Sequence, residues 1–398
     1  MAEAAHRRYA RRLTALATDG PVLDAIAGAE DGEGRWLPRH GWVRTYGRFS
    51  PDRDPFATLV LETPGSPQAI ARVDVSEALP AGKSLDEVRV HVPVLGWLRV
   101  TRFSSDSALS ALPDVLAMPG RATVVRYRPG RRCTIRFDDG ECSRFAKVMA
   151  DDEGERIHAG TIMLWRAAAA GELGFAVAEP DRWDRSTRTL WQGKVEGVPI
   201  TARLLGAEGP ELAHRIGRAA ASLGRARLEP EETFDGAAQL ARSFRYGQEL
   251  IRRVPGLAAA VSDLIGALSD THAARGGRPL RPIHGAPHPS QWLDDGARLG
   301  LVDFDRLSLG DPELDAATFL GELDFESELA VPVERLAEVF LAAYESVAGP
   351  LDRRLLAAYR AHKRLARALR SARALRPDGV ARAGRDLRHA IAACREDR

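Results

Sequence analysis

The order of secondary-structure signals along the chain constrains its fold more than any other feature. Short apolar or β-branched segments, bounded by Pro, Gly, Asp and Ser, fill residues 41–103 and again 121–149, which predicts strands. Beyond residue 200 the periodicity is helical except for a β-rich interruption at 281–305. The predicted helices cover 209–227, 236–275, 312–323, 332–347 and 351–396. Because strands and helices do not alternate, a Rossmann sheet is disfavoured and an α+β protein of two lobes is predicted.

The N-terminal half carries two further patterns. Residues 4–29 and 154–174 have helical spacing or helix-forming composition. The strand blocks at 41–103 and 121–149 also resemble each other. Either a degenerate duplication of a hairpin unit or a chance likeness between short strands would account for that resemblance.

Composition excludes several classes of protein. A net charge of +2 over 398 residues argues against a wholesale nucleic-acid or membrane binder. No apolar run is long enough to span a bilayer, and the charged N-terminus lacks the apolar stretch of a signal peptide. The three cysteines form no metal-binding spacing, which fits a reducing cytoplasm. We therefore expect a cytoplasmic protein with no nucleic-acid partner and no membrane association.

The segment 284–305 carries the clearest chemistry. It consists of a polar loop, a short strand, an Asp294-Asp295-Gly296 turn and a second apolar strand that ends at Asp303, with Asp305 two residues further on. In an extended segment residues i and i+2 face the same way, so Asp303 and Asp305 are predicted to present two carboxylates together. Hard oxygen ligands in that arrangement suit Mg²⁺.

These residues resemble the catalytic motif of aminoglycoside, choline, homoserine and maltose kinases, the aminoglycoside-phosphotransferase-like branch of the protein-kinase fold. His284-Gly285 matches the start of the motif, Gln291 stands at its amide position, and Asp303 stands at its main metal ligand. The continuation at 309–317 matches the family's Gly-Asp-Pro helix start, with Asp311 as a plausible helix cap and Asp315 as a brace for the loop. The resemblance implies Mg²⁺ held by Asp303 and Gln291.

The resemblance also implies the domain organisation. A two-lobed kinase-like fold would place a β-rich N-lobe at 106–195 and a helical C-lobe at 196–398, with the catalytic-loop hairpin at 281–305. Residues 1–105 form an additional N-terminal α/β segment of unassigned role. That segment is a candidate surface for a protein partner or for recognition of the substrate.

The N-lobe offers residues for a nucleotide, which the resemblance implies is ATP or another nucleoside triphosphate. Lys147 lies late in a strand, where the family keeps its phosphate-pairing lysine, and Glu155 on the following helix is its expected partner, with Glu153 as the next candidate. The loop 128–132 stands at the phosphate-covering hairpin, and it carries a single glycine, so Arg131 is expected to bind phosphate through its side chain. Gln192 begins the expected hinge between the lobes, beside the adenine of the nucleotide.

Ala286 is the departure from the family pattern, because the family keeps its catalytic aspartate at this position and a methyl group accepts no proton. One interpretation is an active kinase with a substitute base, for which Asp305 and His288 are the candidates, since phosphoryl transfer depends mainly on positioning and electrostatics. A second is a pseudokinase that regulates through nucleotide binding. A third is a fold retained only for binding a partner protein. The leading prediction is ATP- and Mg²⁺-dependent phosphorylation of a hydroxyl on a small molecule or a peptide side chain.

Overall fold

The computed structural model describes residues 43–50, 53–62, 69–81, 87–93, 95–140, 142–323, 331–374 and 378–396. The helix predicted over 4–29 lies outside these residues. Contacts between Cα atoms divide the chain into two compact units. The first, here called the strand unit, comprises the described residues up to Gly154 with Arg182–Trp191 and Arg370–Arg382. The second, the helical unit, comprises Glu155–Asp181, Gln192–Leu369 and the residues from Ala383 onward.

The strand unit contains two five-stranded sheets. The first sheet consists of β1 (Val43–Phe49), β2 (Ala57–Glu62), β3 (Ile70–Ser76), β4 (Glu87–Val92) and β5 (Gly96–Arg102). Its order is β1-β2-β3-β5-β4, and its neighbouring strands pair antiparallel. Buried apolar side chains such as Leu59, Val73 and Leu98 form its core. This sheet accounts for the β-rich pattern predicted over 41–103.

A short helix, α1 (Leu112–Leu116), leads to the second sheet. Its strands are β6 (Arg121–Arg128), β7 (Arg132–Asp138), β8 (Ser143–Met149), β9 (Pro180–Asp184) and β10 (Thr189–Gly193). The order β6-β7-β8-β10-β9 repeats that of the first sheet, a likeness in topology that matches the predicted likeness in sequence. The turn between β6 and β7 requires Gly130, whose φ of +67° is unfavourable for residues with a side chain.

The helical unit is built mainly from nine helices among its described residues. They are α2 (Glu153–Ala169), α3 (Thr201–Leu205), α4 (Gly209–Leu223), α5 (Gly236–Arg253), α6 (Ala258–Ala273), α7 (Pro312–Leu323), α8 (Val333–Ala348), α9 (Arg353–Arg373) and α10 (Gly379–Glu396). The first residues of α2 and α10 and the last of α9 fall in the strand unit by contact. No helix in the described ranges is long and apolar enough to cross a bilayer.

Two predicted helices are wrong in extent. The segment 236–275 is divided into α5 and α6 because Pro255 has no N–H to donate and begins a short 3₁₀ turn, Pro255–Leu257. The segment 351–396 likewise forms two helices, α9 and α10. By contrast, α7 begins at Pro312, as expected from the fixed φ of proline at the first helical position.

Two small sheets interrupt the helices and carry the catalytic-loop segment. One contains β11 (Val198–Pro199), β14 (Trp292–Asp294) and β15 (Leu299–Leu301), and the other contains β12 (Thr233–Phe234), β13 (Arg281–Ile283) and β16 (Ser308–Gly310). The buried side chain of Trp292 packs edge-on against Phe175, with ring centroids 5.7 Å apart. These buried strands fix both ends of the loops between β13 and β14 and between β15 and β16.

Candidate functional site

The loop after β13 is held by a buried carboxylate. Asp315, in the first turn of α7, accepts hydrogen bonds from the backbone N–H groups of His284 (2.6 Å) and Gly285 (2.9 Å). Gly285 has a φ of +80°, and a Cβ atom built on it would lie 2.7 Å from the carbonyl oxygen of Arg306. Only glycine therefore fits this turn. The predicted loop-bracing role of Asp315 agrees with these contacts.

His284 is fully buried and bonded on both ring nitrogens. Nε2 lies 3.1 Å from the carbonyl oxygen of Val302, and the N–H of Ala286 donates to Nδ1 at 3.3 Å. A ring that donates from Nε2 and accepts at Nδ1 is neutral. Burial lowers the pKa of His284 to about 4 in spite of the opposing effect of the Val302 carbonyl. His284 therefore ties the loop to the residue that precedes Asp303.

Asp303 has an unusual backbone conformation. Its φ is +70°, in the left-handed region that residues other than glycine rarely adopt, although aspartate tolerates it better than most. The Gln291 amide Nε2 donates to Asp303 Oδ2 at 3.1 Å, and Gln291 Oε1 accepts from the backbone N–H of His288 at 2.7 Å. Residues in such conformations persist only where the surrounding structure compensates the strain, and they are concentrated at functional sites.

The predicted extended segment from Asp303 to Asp305 is wrong, because the chain turns at Asp303. The buried ring of Phe304 lies between them in sequence and packs against His284, with ring centroids 4.4 Å apart. Arg156 on α2 donates to the backbone carbonyl of Asp305 at 3.2 Å. Both aspartates are half-buried. The anchored phenylalanine thus fixes the backbone on either side of itself.

His288 lies beside an ion pair formed by two residues that the sequence did not single out, Glu322 and Lys363. Its Nδ1 lies 3.2 Å from Glu322 Oε1, and Lys363 Nζ lies 3.1 Å from the same oxygen. Burial alone would raise the pKa of Glu322, but the hydrogen bond from His288 and the charge of Lys363 lower it to about 2. Glu322 is therefore ionised and places its carboxylate beside Nδ1 of His288.

The predicted phosphate-binding residues lie on the second sheet of the strand unit. Lys147 is almost completely buried on β8, opposite Thr134 of β7. Arg131 is exposed at the turn between β6 and β7, and its carbonyl accepts from the N–H of Ala150 at 2.9 Å. The structure thus places both residues on one sheet, Arg131 at a turn and Lys147 on an interior strand.

The β6–β7 turn is fixed by a residue that sequence reasoning missed. Buried Asp106 accepts from the backbone N–H of Gly130 (2.6 Å) and from the hydroxyl of Tyr127 (2.7 Å) through Oδ2. Arg72 of β3 lies 3.7 Å from its other oxygen. The carboxylate therefore connects the first sheet to the turn that carries Arg131. A lone aspartate in a linker gives no sequence signal for this role.

The remaining predicted residues fall in the helical unit. The side chain of Gln192, near the end of β10, donates to Thr161 Oγ1 of α2 at 3.1 Å. Glu155 is exposed near the start of α2. Since Lys147 belongs to the strand unit, its pairing with Glu155 stays a prediction.

The donor set around Asp303 fits a hard divalent cation in part. Asp303 and Asp305 supply carboxylate oxygens of the kind that Mg²⁺ prefers. The amide oxygen of Gln291 is occupied by the His288 N–H, so in this arrangement Gln291 supports Asp303 through its own N–H. Direct ligation by Gln291 stays a prediction. No group of three or more His, Cys, Asp or Glu side chains in the described ranges is arranged to hold a metal.

Comparison with known structures shows a kinase-like fold. The choline kinase LicA from Streptococcus pneumoniae is 13% identical and covers 71% of this chain and 96% of its own, with a TM-score of 0.52. The GDP complex of a mutant aminoglycoside 2′-phosphotransferase-IIIa is also 13% identical and covers 72% of this chain and 96% of its own, with a TM-score of 0.51. The predicted α+β kinase-like fold is confirmed. Comparison with curated protein sequences gives no match.

The family follows from a second comparison. Residues 163–362, half of the chain, match APH, the phosphotransferase enzyme family. The chain belongs to this family, which confirms the relationship that the catalytic-loop segment indicated and the predicted enzyme class.

Proposed function

We propose that this protein transfers a phosphoryl group from ATP, or another nucleoside triphosphate, to a hydroxyl of a small molecule, with Mg²⁺ as the metal. The observation that carries the proposal is Asp303, which has a φ of +70°, accepts a hydrogen bond from the amide of Gln291 and follows the end of a core strand by two residues. Such an arrangement positions a carboxylate at the expense of backbone strain. Family membership supports the reaction class.

Asp303 would hold the cation, which when bound neutralises charge on the phosphate oxygens. Lys147 is the proposed side chain for the nucleotide phosphates, and its near-complete burial limits the positions available to its ammonium group. Arg131 is proposed as a further phosphate ligand at the β6–β7 turn. Nucleotide binding by a fold neighbour, the GDP complex of an aminoglycoside phosphotransferase, is consistent with this assignment.

The proton of the acceptor hydroxyl needs another base, because Ala286 offers none. His288 is the better supported of the two candidates, since Glu322 Oε1 lies 3.2 Å from its Nδ1, where an orienting carboxylate stands beside a histidine base. Asp305 is the second candidate. A general base typically contributes about 10²–10⁴-fold to a rate. His288→Gln should therefore lower kcat by a factor in this range if His288 is the base, and Asp305→Asn should do so if Asp305 is.

A pseudokinase is the second candidate function, and the methyl side chain of Ala286 favours it. The two functions are separated by nucleotide turnover with a panel of hydroxyl compounds, measured for the natural chain and for Ala286→Asp. Turnover by the natural chain that depends on His288 or Asp305 supports the kinase. Turnover that only Ala286→Asp shows supports a degenerate enzyme that now binds nucleotide without using it.

A further inference from the structure

Three arginines beside the candidate site lack a counter-charge among the residues that the structure describes. Arg242 and Arg245 lie on α5, and Arg306 follows Asp305 directly. We call these three residues the arginine cluster. Burial lowers the pKa of Arg242, and repulsion from the positive charges of Arg306 and Arg245 lowers it further. Within the described ranges, no carboxylate forms an ion pair with any member of the cluster.

The arginine cluster lies next to the catalytic-loop segment. The guanidinium carbon of Arg242 lies 4.0 Å from the centroid of the Phe234 ring. Phe234 ends β12, which pairs with β16, and β16 begins two residues after Arg306. The backbone of Arg306 also packs against Gly285, where an added Cβ would lie 2.7 Å from its carbonyl oxygen. The cluster therefore adjoins the loop that carries Ala286.

Elsewhere in the helical unit, arginines at similar depth are neutralised by carboxylates. Examples are Arg215 with Asp294 at 2.9 Å, Arg278 with Glu313 at 3.0 Å and Arg253 with Glu249 at 2.8 Å. Burying a cation without a partner is costly, and stacking on one aromatic ring compensates only part of that cost. The half-buried Arg242 is thus an exception that an anionic ligand would resolve.

We propose that the acceptor of this enzyme carries an anionic group, a phosphate or a carboxylate, which Arg242 and Arg306 bind beside the catalytic loop. That the bound anion belongs to the acceptor rests on the proposed function, whereas the test below measures anion binding directly. Guanidinium groups suit such anions because they form paired, charge-assisted hydrogen bonds. The same three positive charges would repel a cationic acceptor.

The nucleotide phosphates explain the arginine cluster less well than an anionic acceptor does. These phosphates already have Lys147 and a cation at Asp303 as proposed partners, whereas Arg242 lies on α5, a helix that contributes none of those residues. An anion bound at the cluster would therefore be independent of the nucleotide, and the two should bind together.

The test titrates inorganic phosphate into the full-length protein at low, fixed ionic strength and measures the heat of binding. Arg242→Gln and Arg306→Gln should each weaken phosphate binding by about 10-fold or more, the usual loss for a charge-assisted contact. Arg252→Gln is the matched control, because Arg252 is an exposed arginine on the same helix, and it should leave the affinity unchanged. Thermal melting verifies that each variant is folded, and the exposed Arg306 keeps the test decisive if the Arg242 variant is not.

A second titration repeats the measurement with saturating Mg²⁺ and a non-hydrolysable ATP analogue. Retained phosphate affinity supports an acceptor subsite, whereas displacement of phosphate by the analogue assigns the arginines to the nucleotide and overturns the proposal. Equal phosphate affinity in the natural chain and both cluster variants also overturns it. If the analogue fails to bind at all, the proposed function fails, while the first titration still decides whether the cluster is an anion site.

Discussion

Acidification should destabilise the protein through His284, and the size of the effect follows from the loop geometry. His284 is neutral in the folded protein because Nδ1 accepts the N–H of Ala286 and Nε2 faces the Val302 carbonyl. Its pKa of about 4 compares with 6.5 for a free imidazole. Since the folded pKa is depressed, the contribution to stability is complete above pH 6.5 and is lost as the pH falls toward 4. The loss amounts to about 3 kcal/mol at 1.36 kcal/mol per pKa unit.

The assay is urea unfolding at pH 7.5 and at pH 4.5, for the natural chain and for His284→Gln. Half-buried His272 and buried His362 also have lowered pKa values and contribute slopes of the same sign, so the natural chain alone is not diagnostic. The difference in unfolding free energy between the two proteins isolates His284. The advantage of the natural chain should shrink by about 2–3 kcal/mol between these two pH values.

A pH-independent difference between the natural chain and His284→Gln would refute the reasoning. It would mean that position 284 binds the same number of protons in the folded and unfolded states. An NMR titration of the His284 ring provides a direct reading of its folded pKa, and a midpoint near the free-imidazole value of 6.5 would refute the reasoning equally.

Two further predictions concern the loop after β13 and the turn between β6 and β7. Gly285→Ala should destabilise the protein by about 2 kcal/mol or more, because alanine meets both a left-handed φ and the carbonyl of Arg306. In the same urea experiment Gly296→Ala, where φ is also positive but nothing lies within 4 Å, should cost only the conformational part, and equal losses would contradict the steric argument. Asp106→Ala should cost about 1–3 kcal/mol for each donor left unsatisfied and should speed hydrogen exchange at the amide of Gly130. Unchanged exchange there would show that the carboxylate does not hold the turn.

Much of the fold could be predicted from the sequence because its signals are local. The turn at Gly130, the start of α7 at Pro312 and the strand segments each depend on residues adjacent in the chain. The break at Pro255 was missed because apolar periodicity continues on both sides of it, so the helical pattern outweighed one proline.

The candidate site could be predicted only in part, since much of its geometry depends on contacts distant in sequence. Asp303 was singled out, but its left-handed φ was not, and that conformation invalidates the extended-strand argument. Glu322 contacts His288, and Lys363 contacts Glu322, from helices distant in the chain, and no motif marks them. Whether Gln291 binds metal depends on which way its amide is turned, which the backbone N–H of His288 decides.

The most direct test of the central claim is calorimetric binding of ATP with and without Mg²⁺ to the natural chain and to Asp303→Asn. The natural chain should bind ATP more tightly with Mg²⁺, by about 10-fold or more for a charge-assisted site. Asp303→Asn, which keeps the shape of the side chain but not its charge, should lose that gain and retain the metal-free affinity. Binding that ignores Mg²⁺ in the natural chain, or a gain that survives in Asp303→Asn, would contradict the assignment of Asp303 as the metal-binding carboxylate of a phosphotransferase.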